Sequence, residues 1–482
     1  MPNDFPKNLS DRHPNAHSPE DKLVNRATRV ATRIEAQIIR FLKMSPSEIM
    51  KHIGTSRYSA FCTIRTPERR EILIGLIGEK GFDELSEIIT LFCPRLTGKT
   101  SHGALKTVMK AAFYEYIIQA KRSIEPQSIK DMLERAVVIV EAGHRKYLHH
   151  IPCIFFVEES PDVFYVGPVK FTRMESFVEG IGKELEPDDK EDGSEAVCND
   201  EYYRRSLDYY REYSWVASVS IEKSDFEVSF KNAVFICDTA LNVARVIFGR
   251  DRTKLIRLST SQSEGLRSAR IWHVDDTDIK CSLSSRAVSP PGPSNWYEYL
   301  NSDEGLGIKH VLGSVIEYSR VFMPHSELSS RLLDALSWFG DACLERSPAA
   351  AVVKYVTCIE RLYFGSHQNG IKKRFSSRVA KILADFDCVG SSKVIDLAHQ
   401  IYDVRSTLVH GALSPRAGEV DWPLGGAEQL ARDCIFCACQ LYVLILDAFH
   451  PETPEEFEDA LVSYEVNGID WCIDKVHRER VE

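Results

Sequence analysis

The sequence predicts an α+β multidomain fold: a helical N-terminal region, a mixed α/β middle region and a C-terminal helical bundle. Three observations predict it. At 482 residues the chain is longer than one ordinary hydrophobic core serves, and two or three domains are expected. Runs rich in β-branched and aromatic residues are concentrated between about residues 151 and 275, with helical periodicity on either side. A stretch dense in proline and glycine, AVSPPGPSNW and NSDEGLG, then breaks the chain between Ala287 and Gly307 and marks the main expected boundary. The expected division is 1–20 as a disordered leader, 21–150 helical, 151–300 a mixed α/β sensing region, 305–460 the bundle and 461–482 a tail.

The leader, MPNDFPKNLSDRHPNAHSPEDK, lacks the apolar stretch of a secretory signal. The helical region follows. TPERREILIGLIGEKG (Thr66–Gly81) has a threonine cap, a proline at the first helical position and an early acid, which predicts a helix start. In SIKDMLERAVVIVEAGHRKYL (Ser128–Leu148), Ile129, Leu133, Ala136, Val137 and Val140 recur with a 3.6-residue period. From Ile151 the character changes. IPCIFFV and VFYVGPVKF read as a hairpin or two neighbouring strands around ESPD, and WVASVSI, KLIRLS and SARIWHV as further strands. ELEPDDKEDGSE (Glu184–Glu195) carries seven acids and one lysine and reads as a solvated insertion. KNAVFICDTALNVARVIFG (Lys231–Gly249) reads as a helix closed by glycine.

Beyond Glu327 apolar stripes predict about five packed helices: Leu332, Leu336, Phe339 and Cys343; Val352, Val356, Ile359 and Tyr363; Val379, Ile382, Leu383 and Phe386; Val394, Leu397, Ala398 and Ile401. QLARDCIFCACQLYVLILDAF is apolar almost all round and is expected at the centre. Net charge is −10, which argues against coating nucleic acid through bulk electrostatics and leaves room for a local basic site. Thirteen scattered cysteines without an export signal read as reduced thiols of a cytoplasmic protein, and the absence of any run of about 18 apolar residues predicts no membrane span.

The candidate site is IYDVRSTLVHG (Ile401–Gly411). Arg405 and His410 are five positions apart, about 140° around an ideal helix, so they cannot converge from mid-helix. Two arrangements give them a joint role. The helix ends near Val409, with Gly411 as a left-handed cap that lets His410 swing, or two copies of the helix meet across a two-fold axis. A histidine can carry protons at neutral pH, and an arginine matches phosphate oxygens in a planar fork. The pair suits RNA, where the 2′-OH attacks its own phosphate and His410 moves protons while Arg405 holds the phosphate. A structural arginine beside a capping histidine is the other reading.

The block from TCIERLYFG through the basic helix to Y-D-x-R-S-x-x-V-H-G resembles the HEPN superfamily, and within it the ApeA-like HEPN branch, over about a quarter of the chain. The resemblance implies a metal-independent endoribonuclease without cofactor, an RNA substrate, a homodimer through the bundle and a role in bacterial antiphage defence, with a phage-derived trigger acting on the N-terminal part. By motif position, Arg405 and His410 carry over as the catalytic pair and Ser406 as a supporting residue. The alternative is a catalytically idle HEPN-like bundle serving as sensor or scaffold.

Several other residues bear on the site. Glu360 falls at a partly buried helical position, with Arg405 as candidate partner and Arg361, Lys354 or solvent as alternatives. Tyr402 could stack on a base or pack in the core. IKKRFSSRVAK (Ile371–Lys381) holds five basic residues and no acid, and Lys372, Lys373, Arg374 and Arg378 are the expected RNA contacts. GKT (Gly98–Thr100) lacks the earlier glycine of a phosphate loop, Cys434, Cys437 and Cys439 read as core thiols, and His149 and His150 precede a strand without metal spacing.

Overall fold

A computed structural model describes residues 18–45, 47–49, 62–67, 69–158, 161–185, 195–260, 269–275, 278–283, 293, 295–365, 371–386 and 391–479. Residues 1–17 of the expected leader and most of the acidic segment after Glu184 lie outside them. The α+β multidomain layout holds, with strands in the middle and helices on both sides. The chain forms two compact units, 1–145 with 223–229, and 146–222 with 230–482.

The first unit begins with α1 (Pro19–Leu42), earlier than expected. Ser18 and Asp21 form a reciprocal capping box ahead of a proline at the first helical position. Its apolar face, Ala27, Val30, Ile34 and Ile38, joins a core with α2 (Gly75–Phe92), α3 (His102–Phe113) and α4 (Pro126–Gly143). The expected helix start at Thr66 is corrected. Thr63–Arg65 (β1) and Glu71–Leu73 (β2) pair antiparallel, and Thr66 exchanges backbone hydrogen bonds with Arg69 and Arg70 across the turn. Thr66 Oγ1 accepts from the Arg70 N–H, so the threonine closes a hairpin with the same chemistry that would cap a helix. The apolar stripe expected on α4 is buried as predicted, but the helix stops at Gly143.

In the second unit, seven strands among the described residues form one sheet. The path runs β4 (Val163–Val166), β5 (Val169–Arg173), β6 (Trp215–Ser224), β3 (Arg145–Ile154), β8 (Ala269–Val274), β9 (Asp278–Leu283), with β7 (Arg257–Leu258) also on β3. IPCIFFV and VFYVGPVKF are therefore not hairpin partners. VFYVGPVKF is itself the β4–β5 hairpin, turned at Gly167, while the other run ends β3 in the sheet interior. Helices α5 (Met174–Leu185), α6 (Glu195–Tyr210) and α7 (Phe226–Phe248) accompany the sheet, and Gly249 follows α7 with φ +77° as the glycine-cap reading requires.

A short helix, α8 (Trp296–Leu300), leads into α9 (Asp303–Arg320). The bundle then comprises α10 (Glu327–Leu344), α11 (Pro348–Tyr363), α12 (Ile371–Asp385), α13 (Ser391–Val409), α14 (Asp421–Phe449), α15 (Pro454–Asn467) and α16 (Ile469–Glu479). Two expectations change here. One hydrophobic cluster runs from Ile151 in the sheet to Cys472 in α16, so the Pro/Gly-rich segment near residue 300 links two parts of one core. In the stretch expected as a tail, residues 461–479 are folded instead, with Leu461, Tyr464 and Cys472 buried on α15 and α16. The apolar α14 lies in the core as expected. Its Pro423–Phe449 stretch alone among the described residues has the length and apolarity to cross a membrane, and more than half of its most apolar window is buried inside the fold. That burial is what a core helix requires.

Candidate functional site

The end of α13 is built by backbone geometry. The His410 N–H donates to the Ser406 carbonyl at 3.0 Å, so His410 keeps the helical hydrogen bond. Gly411 then turns left-handed at φ +73°. Its N–H bonds Leu408, and the Ala412 N–H bonds Thr407 at 2.9 Å. This pair of closing bonds is a Schellman motif, the cap that Gly411 predicts. His410 is exposed beyond the last helical residue.

Arg405 faces α11. Its Nη2 donates to Glu360 Oε2 at 2.9 Å, with both side chains about four-fifths buried (23% and 20% exposed). The alternatives for Glu360 are occupied elsewhere: Arg361 binds Asp334 at 2.7 Å and Lys354 binds Glu345 at 2.9 Å. The Arg405 guanidinium carbon lies 5.6 Å from the Tyr402 ring centroid, within cation–π range. Tyr402 is buried and packs on Phe375, with centroids 4.9 Å apart. Burial, reinforced by the negative charge of Glu360, raises its phenol pKa. Tyr402 is therefore a core residue that shelves the arginine, and base stacking is not open to it. Ser406 is partly buried and contributes its carbonyl to the helix end.

The expected basic surface on α12 needs correction. Arg378 is buried. It donates to Glu458 and Glu465 through both edges of its fork and to the Tyr363 carbonyl, so no phosphate can reach it. Arg374 is drawn to the same acids, 2.6 Å from Glu458. Burial pushes the Glu458 carboxyl up, but the bonds from Arg378 and the Gly365 N–H outweigh it and hold Glu458 below the usual range. Lys373 is exposed, and the side chain of Lys372 lies outside the described residues. Glu465 falls in the stretch read as a tail, and Glu458 lies just before it at the end of the expected bundle. The signal for the helix that carries both is present in TPEE, where Thr453 and Glu456 form a capping box.

The other tempting motifs place as follows. GKT follows α2 and a 3₁₀ turn rather than a strand, and Thr100 Oγ1 lies 2.8 Å from His144 Nε2. Cys434, Cys437 and Cys439 are buried on α14. His149 and His150 sit inside β3, not before a strand, and are buried. Among the described residues no group of three or more His, Cys, Asp or Glu side chains is placed to hold a metal.

What the geometry defines is a helical bundle in which one helix presents an oriented, partly exposed arginine and, at its capped end, a solvent-facing histidine. Comparison with protein-family models, with curated proteins and with solved structures finds no match to this chain.

Proposed function

We propose that the chain is a metal-independent endoribonuclease of HEPN type, cytoplasmic and homodimeric, acting in antiphage defence, with the region before the bundle sensing a trigger. The observation that carries this reading is Arg405 held by Glu360 while still reaching solvent, on the helix whose end leaves His410 exposed. In the proposed reaction the 2′-OH gives its proton to a His410 imidazole and attacks the adjacent phosphorus. Arg405 stabilises the charge that builds on the phosphoryl oxygens. The same imidazole, now carrying that proton, gives it to the leaving 5′-oxygen, so the products are a 2′,3′-cyclic phosphate and a 5′-OH end.

In this proposal that imidazole belongs to a second copy of the chain. Because the His410 N–H keeps its helical bond, the roughly 140° between the two positions persists to the helix end. With Arg405 turned toward α11, one chain does not aim both groups at one phosphate. Two copies meeting at this helix would, each completing the other's site. The idle-scaffold reading draws on one observation, that Glu360 already takes one edge of the guanidinium.

The test is RNA cleavage in EDTA by the full chain, by Arg405→Ala, by His410→Ala and by a refolded mixture of the two variants. Each variant alone is expected to be inactive. A statistical mixture recovers about a quarter of wild-type activity if arginine and histidine of one site come from different chains. Intact RNA with the wild-type chain, with and without phage lysate, refutes the nuclease. Cleavage unchanged in His410→Ala refutes the assigned site.

A further inference from the structure

A cavity of about 940 Å³ in the second unit lies between the β4–β5 hairpin and α9, and the bundle residues above take no part in it. Its volume is within the range of about 300–1,000 Å³ that small-molecule sites occupy. It is also pre-formed. Gly167 at the hairpin turn touches Gly313 on α9 backbone to backbone, so closely that a Cβ on either would lie 2.7–2.8 Å from the other's main chain. Gly167 further needs its φ of +54°. That contact pins the hairpin tip on the helix and fixes both walls.

The lining combines rings with a cation. Tyr165 and Tyr318 are exposed, 56% and 42%, on opposite walls, and Tyr297 is partly buried beside them. Lys309 on α9 is partly buried, and its Nζ donates to the neutral Asn301 Oδ1 at 2.6 Å. Among the described residues no carboxylate pairs with it, and burial lowers its pKa with no acid opposing. The one acid on the lining, Glu317, is bonded by Arg320 Nε at 2.7 Å. His310 stands exposed next to Lys309. A cation short of a counter-charge, on the wall of an aromatic cleft, is complementary to an anion that carries a flat ring.

We infer that this cleft binds a mononucleotide, its base against the tyrosines and its phosphate at Lys309 and His310. Three rings and a volume well beyond one six-membered ring favour a nucleotide over a simple aromatic acid. Because α9 packs on α10 and α14 of the bundle as well as on β4, an occupant would touch at once the sheet and a helix that rests on the bundle. The inference stands independently of the nuclease reading.

The experiment is calorimetric titration of the full chain with the four nucleoside 5′-monophosphates, the four nucleosides, inorganic phosphate and indole-3-acetate. At least one monophosphate is expected to bind with a submillimolar Kd, its nucleoside and free phosphate about ten-fold or more weaker. Lys309→Met and Tyr318→Ala should each weaken it about ten-fold, which is the scale of one lost stacking or charge contact. Lys309→Arg should retain binding, and Arg405→Ala should leave it unchanged, which separates this cleft from any RNA site. Tyr165→Ala, at a highly exposed position, serves if Lys309→Met lowers the melting temperature. No binding of any monophosphate at millimolar concentration overturns the inference. So does tighter binding of indole-3-acetate, or binding that survives both cleft substitutions or is lost in Arg405→Ala.

Discussion

Removing the Glu360 carboxylate tests whether the arginine is positioned or merely present. The Arg405–Glu360 contact is 2.9 Å with both side chains about one-fifth exposed. An exposed pair would contribute about 0–1 kcal/mol. Breaking a fully buried pair would cost about 3–5 kcal/mol. A single charge-assisted bond at this depth falls between them, at about 1.5–3 kcal/mol. A double-mutant cycle on Glu360→Ala and Arg405→Ala, read by urea denaturation, should return a coupling of that size. In the cleavage assay a guanidinium held only by the Tyr402 ring is displaced, and a shift of about 1 Å costs on the order of 10²-fold in rate. Glu360→Gln, which keeps the shape and an acceptor oxygen, should recover part of both losses. A coupling within about 0.5 kcal/mol of zero would refute the positioning argument. So would full cleavage by Glu360→Ala when Arg405→Ala is dead.

The remaining expectations divide stability from binding. Arg378→Ala should lose about 1.5–3 kcal/mol in denaturant, because the buried Glu458 carboxylate loses its bonds from Arg378 while Arg374 and the Gly365 N–H still hold it. Lys373→Ala, at an exposed position, should change stability by less than about 0.5 kcal/mol while lowering the salt slope of RNA binding by about one. Gly411→Ala forces a side chain into φ +73° and should cost about 1 kcal/mol, with a larger loss of cleavage because His410 is displaced. Acid should destabilise the sheet. His149 and His150 are both held near pKa 3, chiefly by burial, with Arg270 acting on His149 and His273 on His150. Their folded values lie below the unfolded value of about 6.5, so the stabilisation is complete above pH 6.5 and falls as pH drops toward 3. Each contributes up to about 1.4 kcal/mol per pH unit in that window. Urea midpoints should therefore drop between pH 7 and 5 and less so in His150→Gln, and a flat profile would contradict the burial of both rings.

Helical periodicity carried most of the fold because burial is what it reports. The stripes at Leu332–Cys343, Val352–Tyr363 and Val394–Ile401 all face the core. What failed did so where two structures share one local chemistry. Thr66–Pro67 is as good a hairpin corner as a helix cap, and only the pairing of Ile64 with Ile72 decides between them. Similarly, the Pro/Gly cluster near residue 300 marks a domain boundary wrongly, since composition cannot tell whether the flanking segments bury into one core or two, and its NSDEGLG part runs into α9 from Asp303. The cap at Gly411 was legible from its glycine. The fate of the basic helix was not, because it depends on Glu458 and Glu465, some 80 residues away.

That dependence explains why a basic cluster in the sequence is a poor guide to a phosphate-binding surface. Three arginines in this bundle make the comparison. The side chains of Arg331 and Arg378 are wholly buried. Arg331 donates to the carbonyls of Arg361 and Phe364 and meets Glu327; Arg378 meets two carboxylates and a carbonyl. Arg378 has fixed acceptors for all three nitrogens of its desolvated fork and Arg331 for its two terminal nitrogens, and displacing them would leave a buried charge unpaired. Arg405 has one carboxylate and one ring, and nearly a quarter of its side chain still meets water. A guanidinium carries five donors, so Arg405, bonded through one terminal nitrogen, keeps hydrogen-bonding capacity that Arg378 has spent. Its single anchor fixes direction without neutralising every edge, which is what the role proposed for it at a phosphate requires.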